Sequence, residues 1–302
     1  MPARPLLKAL TAAGIGSRRR MAEAIKQGKV QVNGQTAESF NQPVDTDADR
    51  VTFGGKPVNL KPDETICLML NKPGGVVSTV SDEAGRPTVL DVLPERYRHT
   101  RLYPAGRLDA DSTGLILLTN DGDLTYRLTH PRYEHEKEYL AAINGRLTAE
   151  EKGRLEKGIR LEDGMTAPAR VREITLEPFN YSITIHEGRK RQVRRMFERL
   201  GHPVLALKRV RVGGLKLGNL KEGEARPLRP DEIASLLSGN QPDKQIDKQR
   251  DKPGRRDSEN PRPDDAQGHA PAHGGKSLHR SHPRNRPGND MGRTHRDTQK
   301  GR

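Results

Sequence analysis

"GRLDADSTGLILLTNDGDL", residues 106–124, combines a buried element with an unusual density of acid. The run Gly114–Thr119 is apolar on both faces, as an inner strand of a sheet must be. A Gly-Arg-Leu leads into Asp109 just before this run, and Asp111, Asp121 and Asp123 crowd around it. "DGDL" turns the chain, and "DLTYRLTH" starts a helix with Asp123 near its positive end. Asp109 is open to three readings: the polar residue of a turn, one ligand of a metal set, or a catalyst.

Outward from this strand the pattern is mixed. "ICLMLNKPGGVVST", 66–79, reads as a buried strand entering a Gly-rich loop. No Gly-Lys-Ser/Thr follows "KPGG", which excludes a nucleotide-phosphate cradle. "KEYLAAI", 137–143, alternates, with Tyr139, Ala141 and Ile143 on one face. Thr148 and Glu151 form a capping box for a helix that Gly158 ends. "YSITIHEG", 181–188, alternates again. "RQVRRMFERLG" is helical, with Val193, Met196, Phe197 and Leu200 on one stripe and Gly201 as the stop. Strands and helices without a βαβ rhythm indicate an α+β domain over residues 66–238, with a mixed, mostly antiparallel sheet.

Before it, residues 6–34 read "LLKALTAAGIGSRRRMAEAIKQGKVQVNG". Leu6, Leu7, Leu10 and Ala13 share a helical face that Gly14-Ile-Gly breaks. Ser17 then N-caps a second helix carrying Met21, Ala22 and Ile25. "KVQVNG" is a strand entering an Asn-Gly turn. This small α/β domain spans 1–60 and is joined by a polar linker at 61–65. Residues 239–302 contain almost no large apolar side chains, so they cannot offset the entropy of folding and are expected to be a disordered basic tail.

The net charge of +14 points to a polyanionic partner, most simply nucleic acid. Arg18, Arg19, Arg20, Lys26 and Lys29 concentrate at one end of the N-terminal helix pair, where guanidinium groups can grip phosphate. The single cysteine, Cys67, excludes an intrachain disulfide and fits a reducing cytoplasm. No apolar run approaches the roughly 20 residues that span a bilayer. The Arg-rich, acid-free start suits a transit peptide, but it continues directly into the patterned helix pair.

For chemistry, a two-metal site needs several carboxylates converging on a hard cation. Asp121 and Asp123 sit past a strand from Asp109, with a spacing that suits a turn and a helix cap. A lone aspartate instead can attack a sugar's anomeric carbon or stabilise charge there, provided a cation keeps it ionised. At about 100° per residue, Arg194 falls at the edge of the apolar helix stripe and Arg195 points away from it. Tyr139 is either a core residue or a base-stacking platform with a phenol able to move a proton.

"ALTAAGIGSRRRMAEAIKQGKVQVNG" resembles the S4-like RNA-binding domain. "GRLDADSTGLILLTNDGDL", "HEKEYL" and "GRKRQVRRMFERLGH" resemble the signature segments of ribosomal RNA pseudouridine synthases of the RsuA/RluB type. With "LNKPGGVVST" and "GIRLEDGMTAPA", the likeness covers residues 5–237. It implies a cofactor-free and metal-free isomerase of uridine in rRNA, with Asp109 catalytic, Tyr139 in the active site and Arg194 paired with Asp109. It also implies RNA contacts by Arg107, Arg189 and Arg191. "GIRLEDGMTAPARV" and "TIHEGRKRQVRRMFERLGHPV" resemble the large-subunit enzymes more than the small-subunit one. The expected setting is a cytoplasmic, bacterial monomer whose partner is large-subunit rRNA or an assembling ribosomal particle, with no membrane. A noncatalytic RNA-binding protein and a metal-dependent RNA nuclease are the competing readings.

Overall fold

The computed structural model describes residues 3–61, 64–98 and 100–238. The tail expected at 239–302 lies outside these residues, as does part of the linker at 61–65. Among the described residues no helix is long and apolar enough to cross a membrane.

Near the N-terminus, α1 (Leu6–Ala12) and α2 (Arg18–Lys26) pack on a four-stranded antiparallel sheet. Its strands are β1 (Val30–Val32), β2 (Gln35–Thr36), β3 (Val51–Phe53) and β4 (Lys56–Val58), in the order β2-β1-β3-β4. The Ser17 hydroxyl accepts from the Arg20 N–H and caps α2, as its position in the sequence predicts. Asn33 and Gly34 both take positive φ, 52° and 82°, which a two-residue hairpin turn requires. Leu6, Leu10, Met21, Ile25 and Val30 form the core. The α2 stripe is slightly rotated from expectation: Ala24, one turn from Met21, is buried, whereas Ala22 is only partly so.

The described residues from 66 onward include a nine-stranded sheet. Its main path joins β5 (Cys67–Lys72), β6 (Thr113–Thr119), β7 (Lys137–Ile143), β8 (Arg170–Leu176), β9 (Phe179–Ile185), β10 (Val204–Val212) and β11 (Ala225–Pro227). The spatial order is β8-β9-β7-β10-β6-β5-β11, antiparallel throughout except for the parallel β10–β6 pair. This is the α+β architecture with a mostly antiparallel sheet that the pattern predicts.

Among the described residues, the longer helices that accompany the sheet are α3 (Gly122–Thr129), α4 (Ala149–Lys157), α5 (Gln192–Glu198) and α6 (Pro230–Ser238). The capping box at Thr148 and Glu151 forms as expected. The unbroken apolar character of β5 and β6 has a direct cause. Leu68, Leu70, Ile116 and Leu118 enter one core with Tyr139 and Phe197, while Cys67, Met69, Leu115 and Leu117 enter a second with Leu124 and Leu236. Each face of these central strands is covered, so no polar alternation is tolerated.

Two residues at the mouth of β6 fix where the loop before it lies. Gly114 pairs with Arg209 across the parallel ladder at a φ of +102°, and a Cβ there would stand 2.2 Å from the Arg209 carbonyl oxygen. Lys72, the last residue of β5, is fully buried. Its ammonium donates to the carbonyls of Pro73 (2.8 Å), Val76 (2.7 Å) and Ala110 (3.2 Å). Burial pushes the Lys72 ammonium down to about 8, against the pull of Asp111, Glu222 and Asp109.

Two measurements test these placements. Gly114→Ala should lose about 3 kcal/mol or more in denaturant unfolding, because both the φ and the contact with backbone oppose a side chain. Gly153→Ala, in the open on α4, should instead gain about 0.5–1 kcal/mol. For Lys72, the unfolded chain still holds the proton that the folded chain releases between pH 8 and the ordinary value of 10.5. Stability must therefore rise with pH across that window. The rise should be smaller in Lys72→Met, whatever the offset between the two proteins at neutral pH.

Candidate active site

The loop between β5 and β6 carries Asp109, and its backbone is held at every residue around the carboxylate. Arg209 Nη1 donates to the Arg107 carbonyl at 3.4 Å. The Ser78 hydroxyl donates to the Leu108 carbonyl (2.8 Å) and accepts from the Leu108 N–H (3.1 Å). The Asp109 carbonyl accepts from Ser112 N–H, and that of Ala110 from Gly75 N–H and Lys72. Arg194 Nη2 donates to the Asp111 carbonyl at 3.0 Å. Five successive carbonyls are thus engaged, four of them by side chains at least nine-tenths buried or by the Gly-rich loop that follows β5. Buried backbone without such partners would be costly, so the loop has little freedom.

The half-buried Asp109 faces a cleft of about 1380 Å³. Tyr139 from β7 lines the same cleft and is 8% exposed, its ring sharing the core with Ala141 and Ile183. Arg107 lines it too, exposed, and its guanidinium has no protein partner among the described residues. Lys137 and Arg209 complete a basic wall. Lys137 donates to the His135 carbonyl at 2.9 Å, and burial first, then Arg209, brings its ammonium down to about 8 against Glu187. Lys137 lies two residues before Tyr139 and so on the same strand face, a signal that period-two reading could have used. Arg209 and Lys72 carry no such signal, because only the strand pairing brings them under the loop.

The arginine arrangement differs from what the resemblance implies. Arg194 is 8% exposed, as its place on the helix predicts, but it is not paired with Asp109. Its guanidinium donates to the carbonyls of Asp111 and Val204 (3.0 and 2.9 Å) and stands 3.4 Å from the Asp111 carboxylate. Arg191, at a φ of +50°, reaches both oxygens of Asp111 at 3.0–3.1 Å. The acid that receives the cations is Asp111; among the described residues Asp109 has no ion pair within 4.0 Å. The part-buried carbonyls of Asp111 and Val204 take both arms of the Arg194 guanidinium, which therefore does not turn to Asp109. Arg195 points away, to Asp163.

The expected RNA-contacting residues divide. Arg189 lines the cleft, yet its guanidinium is engaged by Glu187, Asp163 and the carbonyls of Gly164 and Met165, where it braces a turn. Arg191 is exposed but tied to Asp111. Arg18, Arg19, Arg20, Lys26 and Lys29 are all exposed on the N-terminal unit, Arg20 lying over the Phe53 ring and Lys26 over Phe40. Asp121 caps α3, accepting from the Asp123 and Leu124 N–H groups, and Asp123 pairs with Lys8 at 2.5 Å. These two acids stand at the far end of β6 from Asp109.

Comparison with known proteins agrees with this geometry. The RNA pseudouridylate synthase family matches residues 66–199, and the S4 domain family matches residues 4–59. The ribosomal large subunit pseudouridine synthase B of Bacillus subtilis is 43% identical over 238 residues, covering 76% of this chain and 94% of the relative. A protein of the same name from Pseudomonas aeruginosa is 42% identical over 241 residues, covering 76% of this chain and 61% of the relative. A pseudouridylate synthase crystal structure superposes with a TM-score of 0.55 at 35% identity, over 78% of this chain and all of the other. With an S4 domain ahead of a pinned aspartate loop in a basic cleft, the chain belongs to the RNA pseudouridylate synthase family.

Proposed function

We propose that the protein isomerises a uridine of large-subunit ribosomal RNA to pseudouridine, with Asp109 as the catalytic carboxylate. One observation carries the assignment: a carboxylate free of ion pairs, on a loop whose backbone is held at five successive carbonyls, facing a cleft walled by Arg107, Lys137 and Arg209. Pre-organisation of this kind removes the reorganisation that would otherwise accompany charge development at the sugar.

In the reaction the N1–C1′ bond of uridine breaks, uracil turns, and a C5–C1′ bond forms. The proton on C5 leaves and N1 gains one, so atoms balance without oxidant, reductant or cofactor. Asp109 acts at C1′, either by bonding to it or by stabilising its positive charge. Tyr139 stacks on the detached base, and its phenol carries the proton. Arg107 takes the phosphate of the flipped nucleotide. Extrusion of that nucleotide costs a few kcal/mol, offset by stacking and phosphate contacts. Arg194 is a positioning residue that holds the carbonyl two residues beyond Asp109. The exposed cations of the N-terminal unit, residues 1–60, supply sequence-independent grip, and residues 66–238 hold the site. The relatives' names and the basic charge favour rRNA as the partner and the cytoplasm as the place.

Asp109→Asn should abolish pseudouridine formation on an rRNA fragment while RNA affinity holds or rises. A competent Asp109→Asn enzyme would overturn the mechanism, and EDTA-sensitive RNA cleavage would favour a nuclease. Asp121→Asn should leave turnover intact and lower stability by about 0.5–2 kcal/mol through the α3 cap. Replacing Arg18, Arg19 and Arg20 together by Gln should flatten the log–log salt dependence of RNA binding by about 0.7–0.9 for each phosphate that is no longer neutralised. An unchanged slope would remove these residues from the RNA interface.

A further inference from the structure

Beside the cleft, four rings and one guanidinium assemble outside either hydrophobic core. Tyr126 and His130 lie one turn apart at the end of α3, with ring centroids 4.7 Å apart and tilted by 51°. The His130 Nδ1 accepts from the Arg132 N–H at 3.2 Å, closing a single 3₁₀ turn over Pro131–Tyr133. That turn folds Arg132 and Tyr133 back toward Tyr126. The Arg132 guanidinium sits 5.4 Å from the Tyr126 ring and 4.5 Å from the Tyr133 ring, and donates to the Tyr133 hydroxyl. Tyr133 meets Tyr126 edge-on at 6.2 Å and His135 at 6.3 Å.

His135 is buried, but Tyr126 and Arg132 do not serve the core. Tyr126 is 46% exposed and Arg132 is exposed, whereas Tyr139 and Tyr181 are buried. A surface that holds a guanidinium against two rings, one of them open to solvent, presents a π face and a positive charge together. The same elements reach the reaction centre: Thr129, His130 and Pro131 line the cleft, and the Thr129 methyl lies 3.7 Å from where a Cβ of Gly106 would stand. Gly106 opens the loop that ends in Asp109.

We propose that Tyr126, His130, Arg132 and Tyr133 form a stacking platform for an unpaired RNA base next to the nucleotide that enters the cleft. This rests on the reading that the cleft takes RNA. A flipped nucleotide leaves its neighbours unstacked, and an aromatic face capped by a guanidinium replaces that stacking without selecting a base. Neither a phosphate alone nor an acidic peptide would use the exposed Tyr126 ring.

The chain contains no tryptophan, so a single one reports its own surroundings. In full-length protein, the emission of Tyr126→Trp should be quenched on titration with a single-stranded rRNA fragment containing the target uridine. Leu176→Trp provides the control: it is exposed at the end of the β8–β9 hairpin remote from Ile185, which lines the cleft, and should not respond. Tyr126→Ala should raise both the RNA dissociation constant and KM by roughly tenfold, the usual scale for losing one stacked base, with kcat within about twofold. Tyr126→Phe should restore wild-type values. Arg132→Gln should weaken binding in the same sense, and circular dichroism would show that each variant is folded. Unchanged affinity in folded Tyr126→Ala, loss confined to kcat, or equal quenching in the Tyr126→Trp and Leu176→Trp variants would each overturn the platform. Failure of the functional reading looks different: wild-type protein would bind the fragment without converting its uridine, while the affinity ratios would still judge the platform.

Discussion

The carbonyls of residues 107 to 111 each accept a hydrogen bond from a different partner, and the rest of the cleft is arranged to supply those donors. Lys72 comes from the end of β5, Gly75 and Ser78 from the loop after it, Arg209 from β10, and Arg194 from α5. Burying a lysine is unfavourable, and burial pushes its ammonium down despite the pull of Asp111, Glu222 and Asp109. The three carbonyls around it make the burial tolerable. What results is a carboxylate whose position is set by backbone rather than by a partner cation.

That distinction bears on how charge is distributed. Arg191 and Arg194 converge on Asp111, so the neighbour two residues along is neutralised and Asp109 is left to face the cleft. The Asp111–Arg191 pair is about half exposed on both sides and contributes little stability. Its value is geometric: it ties the start of α5 to the aspartate loop. The positive potential at Asp109 then comes from groups that line the cleft, Arg107, Lys137 and Arg209, of which the exposed Arg107 is free to meet a phosphate. A polyanionic substrate and a carboxylate catalyst are compatible there because the wall between them is cationic.

The sheet makes this arrangement possible. β6 is buried on both faces and flanked by β5 and β10, so the loop that enters it starts at the centre of the domain. The one parallel pairing, β10 with β6, brings Arg209 to Gly114 and leaves no room for a side chain between them. On the other side of the loop, α3 returns from the far end of β6 and delivers its aromatic C-terminus to Gly106.

Much of this was legible in residue order. The Ser17 cap, the Asn33–Gly34 turn, the Thr148–Glu151 capping box, the two-faced apolar run of β6 and the burial of Arg194 are local or periodic features. Each is decided by the chemistry of neighbours within a few residues. The family resemblance, too, was carried by contiguous segments. The bond of Arg194 to Asp111, the buried Lys72 under Ala110, the approach of Arg209 to Arg107 and the bonds of Arg189 to Gly164 and Met165 were not legible, because each joins residues between 24 and 102 positions apart. A sequence can show that a guanidinium will be buried; which carbonyls it must satisfy is settled only when strands from distant parts of the chain come into register.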